Sequence, residues 1–183
     1  EGLVEAHKKG VIHRNLKDRN IMITMEDNRV KIINFGLSLK IKKDIAEIAG
    51  TGIFGKESMI FSPPEKLAEG LVEENEQTDV WSFGAIFYQM VTGKPPFTEN
   101  DFVRDPADIP PIKDVSGRTE AVIMNCLQKD RKKRYRNMKD VYDGLFGDAK
   151  INEVHEYKKP GKDDKKGKWI IPVLFGIIAI LLL

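Results

Sequence analysis

The sequence has a single cysteine, Cys126, so no internal disulfide can form, as suits a reducing compartment. It has no charge surplus of consequence. The 30 basic residues meet 28 acidic ones, for a net charge of +2. That balance gives the whole protein no electrostatic reason to hold nucleic acid. No internal repeat and no signal peptide is visible. The first residue is Glu1, already in mid-pattern, so further residues are expected to precede it. Long apolar runs are missing as far as Lys168, and only Trp169–Leu183 is almost wholly apolar. What remains is ample: 183 residues, 32% of them charged, allow one domain with a real core plus an appendage.

Local patterns divide the chain. Leu3, Val4 and Ala6 with Gly10 as a stop read as the end of a helix, with His7 at its surface. Ile21-Met22-Ile23 and Val30-Lys31-Ile32-Ile33 read as two strands, and Glu26-Asp27-Asn28 between them as the turn of a short hairpin. Residues 41–75 are mixed and Gly-rich, as in a long functional loop. From Thr78 to about Phe146 the pattern is helical. Thr78 or Asp79 is expected to cap a helix running to about Val91, which Gly93 and Pro95-Pro96 end. Further helices are expected over Glu120–Gln128 and Met138–Phe146. The division is then a domain over 1–150, a polar Lys-rich linker over 151–168 and a candidate transmembrane tail over 169–183.

Five segments carry chemistry. They are His13-Arg14-Asn15-Leu16-Lys17-Asp18-Arg19-Asn20, Asn34-Phe35-Gly36, Ser62-Pro63-Pro64-Glu65, Thr78-Asp79-Val80-Trp81-Ser82-Phe83-Gly84, and Cys126-Leu127 with Asp130 and Arg134. In order and spacing they resemble the C-terminal lobe of protein kinases: the catalytic loop H-R-D-L-K-x-x-N, then D-F-G, A-P-E, D-V-W-S-x-G and C-L-x-x-D-P-x-x-R. The resemblance covers about residues 3–143. It implies a protein-kinase-like fold, α+β overall, whose C-lobe is mainly α-helical with a short β-hairpin; the apolar tail would add a C-terminal hydrophobic helix.

The resemblance also assigns roles. Asn15 stands at the position of the catalytic base. Lys17 would lie near the transferred phosphate. Asn20 and Asn34 would be the metal ligands and, with Met22 under the adenine ring, the cofactor-binding residues. His13 and Phe35 would stack, Asp79 would anchor the loop backbone, and Glu65 would form a buried ion pair with Arg134. Cys126 is expected in the core. The basic run Arg131–Arg136 is expected to be a solvated face, apart from Arg134.

The departures matter more. An amide has nearly the shape of a carboxylate but neither its charge nor useful basicity. A positioned general base contributes roughly 10²–10⁴ in rate. Magnesium is usually held by one or two carboxylates plus phosphates, yet here both protein ligands would be neutral amides. Ahead of His13 there is no Gly-rich phosphate loop, strand lysine or partnering helix glutamate, so the N-terminal lobe is expected to be absent from these residues. Asp18 and Arg131 stand where relatives have proline, and Tyr135 also departs from the pattern. Thr51 or Ser58 could match the family's T-P-x-Y segment; Ser58 keeps the spacing to Glu65.

The expected function is therefore a membrane-tethered, catalytically impaired pseudokinase, acting as scaffold or regulator. Its partners would be other proteins, such as signalling partners or an active kinase, and not nucleic acid. No cofactor is expected to be held firmly; ATP and Mg binding would be weakened. Two alternatives stay open: a fragment of a Ser/Thr-type kinase that binds ATP and keeps residual transfer through Lys17 and Asn20, and a non-catalytic nucleotide sensor whose 36–65 loop orders on binding. The tail is expected to be a single-pass C-terminal anchor. Six lysines against Glu156, Asp163 and Asp164 leave +3 between Glu156 and Lys168, and Trp169 sits at the junction, which places the body in the cytoplasm by the positive-inside rule.

Overall fold

Asn75 opens the longest helix among the described residues, and the way it does so differs from expectation. In the computed structural model, which describes residues 1–36, 60–67, 73–98, 109–110 and 112–147, the Asn75 side chain accepts from the Gln77 amide at 3.0 Å, while the Thr78 hydroxyl accepts from the Asn75 amide at 3.3 Å. The two residues satisfy each other's orphan groups reciprocally. Thr78 is thus the second half of a cap and not the cap itself, and Asp79 lies inside the helix. In chain order the elements are α1 (Gly2–Lys8), β1 (Ile21–Ile23), β2 (Val30–Ile32), α2 (Pro64–Leu67), α3 (Glu76–Thr92), α4 (Gly117–Cys126) and α5 (Met138–Phe146). Short 3-10 turns cover Asp18–Asn20 and Arg131–Lys133.

The helix α3 is buried along most of its length, from Thr78 to Tyr88. A helix buried on most sides belongs inside a fold, and α4 and α5 pack against α3 while α1 packs against α5. Three residues of its opening motif, Trp81, Ser82 and Gly84, have a clear mechanical reason. The Trp81 ring stacks on Phe97 with centroids 5.5 Å apart. The Ser82 hydroxyl donates to the Phe61 carbonyl at 2.8 Å, tying the segment before α2 to the axis. Gly84 lets α4 approach: a Cβ there would come 2.5 Å from the Cβ of Cys126. Gly93, in the left-handed region at φ 74°, ends the helix and donates to the Gln89 carbonyl.

Cys126 lies in the core, as expected, and burial pushes its thiol up, away from thiolate chemistry. Ser116 accepts from the Thr119 amide at 3.1 Å and starts α4 three residues before the expected Glu120. α5 has the expected bounds, because Asn137 caps it through the Asp140 amide. The hairpin is antiparallel, with Ile21 opposite Ile32, Met22 opposite Lys31 and Ile23 opposite Val30. It hangs directly on the candidate loop, since the Ile33 amide donates to the Asn20 carbonyl at 3.0 Å.

Among the described residues no helix is long and apolar enough to cross a membrane. The linker 151–168, the tail 169–183 and both Thr51 and Ser58 lie outside the described residues.

Candidate functional site

The loop after α1 is held from below by one buried carboxylate. Asp79 accepts from the His13 amide at 2.7 Å and the Arg14 amide at 2.8 Å, which is the anchoring role expected of it. A third donor was not foreseen. His7, expected at the surface, is buried, and its Nε2 lies 3.1 Å from the same carboxylate. Its Nδ1 accepts from the Met138 amide at 3.2 Å, so the ring proton must be on Nε2 and the contact is a hydrogen bond from a neutral ring. The signal lay in the spacing: His7 follows Leu3 by four residues and so shares its buried helix face.

Arg14 sits at φ 68°, where a non-glycine residue is strained. Its surroundings fix it there. The Arg14 amide is bound by Asp79, its carbonyl accepts from Lys66 Nζ at 2.7 Å, and its guanidinium faces the Glu74 carboxylate at 3.6 Å. Lys66 reaches the other Glu74 oxygen at 3.4 Å. Neither Lys66 nor Glu74 stands out in the sequence. They bring α2 and the start of α3 onto the loop.

His13 is fully buried and its ring meets Phe35 at 4.6 Å between centroids, the expected contact, but the rings are tilted by 50° and not stacked. Nε2 donates to the Ile33 carbonyl and Nδ1 accepts from the Asn15 amide. Burial, above all, holds this imidazole below its ordinary range, with the Ile33 carbonyl and Asp79 opposing. Leu16 is buried beneath the loop. Met22 is about half exposed on β1.

Asn15, Asn20 and Asn34 converge. Asn20 is buried, and its Nδ2 donates to the Asn15 carbonyl at 2.8 Å. Since that amide nitrogen faces a carbonyl, Asn20 must turn its Oδ1 the other way, toward Asn34. Asn34 Nδ2 donates to that oxygen at 2.9 Å. Asn34 itself has φ 66°, a left-handed conformation that asparagine tolerates better than most residues. The magnesium that the family's catalytic loop implies does not fit this arrangement. The oxygen Asn20 would offer already accepts a hydrogen bond, and the group Asn34 presents to it is a donor. Among the described residues no three His, Cys, Asp or Glu side chains converge as metal ligands.

The expected pair of Glu65 and Arg134 is present: Nη1 and Nη2 of the buried arginine each lie 2.7 Å from a carboxylate oxygen. Around Arg134 the expected solvated face also holds, with Lys132, Lys133 and Arg136 exposed, although Tyr135 is buried in the core.

Comparison with known proteins agrees with this geometry. Residues 1–144 match the protein kinase domain. A probable serine/threonine-protein kinase of Clostridium acetobutylicum is 31% identical over 82% of this chain, and the serine/threonine-protein kinase PknB of Mycolicibacterium smegmatis 28% over 85%. The serine/threonine-protein kinase RUNKEL of Arabidopsis thaliana is 31% identical over 88% of it. The chain spans only 23%, 25% and 12% of those three proteins. The solved kinase PK-1 of Cydia pomonella granulovirus has a TM-score of 0.56 at 20% identity, over 80% of this chain and 54% of that one. The match to the kinase domain over most of the length, together with the ordered motifs and the anchored loop, makes this chain a member of the protein kinase family.

Proposed function

We propose that this chain is a catalytically impaired kinase-family protein that acts by binding other proteins, as scaffold or regulator, and not by transferring phosphate. The observation that carries the reading is the pair of amides at Asn15 and Asn34, with Asn34 donating a hydrogen bond to Asn20. In the family, catalysis is positioning plus charge: a loop aspartate orients the hydroxyl and an aspartate-bound metal bridges the phosphates. This lobe keeps the shapes and lacks the charges. The loop is nonetheless held in place by Asp79 and Lys66, an order that a binding surface can use without a reaction.

The test is radiolabel transfer from ATP to a basic protein substrate. The wild-type chain should match a blank without enzyme. Turnover near 1 s⁻¹, the low end for kinases, would overturn the reading. Asn15→Asp with Asn34→Asp should also leave the 183-residue chain inactive. Those carboxylates do not supply the groups that close over the phosphates, and positioning is most of the catalysis. Transfer by the double variant would show that this lobe suffices for positioning.

Membrane tethering through Trp169–Leu183 belongs to the same proposal and is supported by sequence alone. Fifteen helical residues span about 22 Å against a hydrocarbon core of roughly 30 Å. Lys165, Lys166 and Lys168 can make up part of the difference by reaching toward the headgroups. After carbonate washing the full chain should sediment with membranes and a version ending at Lys168 should not. If both stay in the supernatant, the tail is no anchor.

A further inference from the structure

We infer that the Asn34 amide replaces a divalent cation: the hydrogen of its Nδ2 sits between two side chains that a metal would otherwise bridge, so this site is ordered without metal and takes none. This rests on the reading above and deepens it. Three observations converge. The network fixes the direction of donation, because Asn20 spends its Nδ2 on the Asn15 carbonyl and has only Oδ1 left to face Asn34. The separation of Asn34 Nδ2 from Asn20 Oδ1 is 2.9 Å. Adjacent oxygens on a magnesium octahedron lie about 2.9 Å apart, given metal–oxygen bonds of about 2.0–2.1 Å at right angles. That separation is the ordinary length of an N–H···O bond and equals the oxygen spacing a magnesium ion would impose, so a proton donor can do the cation's bridging. Finally, Asn20 is 4% exposed. A polar side chain buried to that degree needs partners, and the amide of Asn34 supplies one whether or not ions are present.

A carboxylate at position 34 would behave in the opposite way. It has no proton to give, so its oxygen would face the Asn20 oxygen as two acceptors at hydrogen-bond distance. That contact is repulsive until a cation enters. The asparagine is thus a determinant of metal independence at this site.

The probes are Mg²⁺ and Mn²⁺ with the full chain. In the wild type, millimolar Mg²⁺ should leave the melting temperature unchanged, and Mn²⁺ should leave the side-chain amide NMR signals of Asn20 and Asn34 unbroadened. N34D without metal should melt lower by about 5 °C, and Mg²⁺ should restore most of the loss. N34A removes the donor without adding a ligand; it should melt lower and not respond to Mg²⁺. This second variant keeps the test alive if N34D does not fold without metal.

Broadening of the wild-type amides by Mn²⁺, or a Mg²⁺-dependent rise in its melting temperature that N34A abolishes, would overturn the inference. So would an N34D or N34A variant as stable as wild type without metal, or an N34D variant indifferent to Mg²⁺. The two readings fail separately. A chain that transfers no phosphate yet binds Mn²⁺ at these amides keeps the proposed function and loses this inference.

Discussion

Asp79→Ala should destabilise the chain by about 4 kcal/mol or more, since each buried donor left without a partner costs roughly 1–3 kcal/mol. Three donors are involved: the His13 amide, the Arg14 amide and the His7 imidazole. Asp79 is completely buried, so water cannot replace it without rearrangement. The loss has a second part. Arg14 is held at φ 68°, and its amide bond to Asp79 is one of the contacts that keep it there. Released, the loop can relax toward ordinary backbone angles, and the tilted ring contact of His13 with Phe35 goes with it. Asp79→Asn tests the charge apart from the shape. It keeps one acceptor oxygen but turns an NH₂ toward backbone donors, so it should also be costly, at about 2–3 kcal/mol. Urea unfolding measures both, and amide exchange at His13 and Arg14 should lose protection in each variant. A loss below about 1 kcal/mol for the alanine variant would mean that the loop has another anchor.

How this lobe could be read beforehand depends on the range of the interaction. α5 was legible to the residue because its start signal is local: Asn137 caps the amide three positions on. The hairpin was legible for the same reason, with apolar runs on either side of a polar turn and Asn28 at a left-handed φ of 53°. The start of α3 was misplaced by a few residues because Thr78, read alone, looks like a cap; only its bond to the Asn75 amide reveals it as the answering half. The burial of His7 was signalled by its spacing to Leu3, but its role was not, because its partners lie 72 positions away at Asp79 and 131 at Met138. Lys66 and Glu74 fall in the same class. The three asparagines were legible as residues. The direction of donation from Asn34 to Asn20 was not, since it follows from where a third group, the Asn15 carbonyl, stands in space.

Glu65 and Arg134 should prove strongly coupled. Every N–H of the arginine is used: Nε donates to the Gln128 carbonyl, Nη1 to Glu65 and the Gln77 carbonyl, and Nη2 to Glu65 and the Lys129 carbonyl. Its guanidinium also lies 4.7 Å from the centre of the Trp81 ring. No lysine can reproduce that fork, so Arg134→Lys should be destabilising despite keeping the charge. Removing Glu65 should cost on the order of 3–5 kcal/mol, because Arg134 is left buried with an uncompensated charge, and removing Arg134 should cost less, because Glu65 is only partly buried and keeps Arg131 nearby. Removing both should cost clearly less than the sum. A double-mutant cycle by urea unfolding reads this directly, and additivity within about 0.5 kcal/mol would show that the pair does not interact. Arg131 sharpens the expectation. Its Nε lies 3.7 Å from Glu65 Oε1, so it can partly take over the carboxylate when Arg134 is gone. Arg131→Ala should therefore be mild in the wild type and costlier in the Arg134→Ala background. The pair is also the clamp on α2, the first element after residues 37–59, and trypsin should cut after Lys66 faster in Glu65→Ala than in the wild type. Unchanged cleavage there would mean that the Ser82 bond to Phe61 and the Lys66 bond to Arg14 suffice to hold α2 in place.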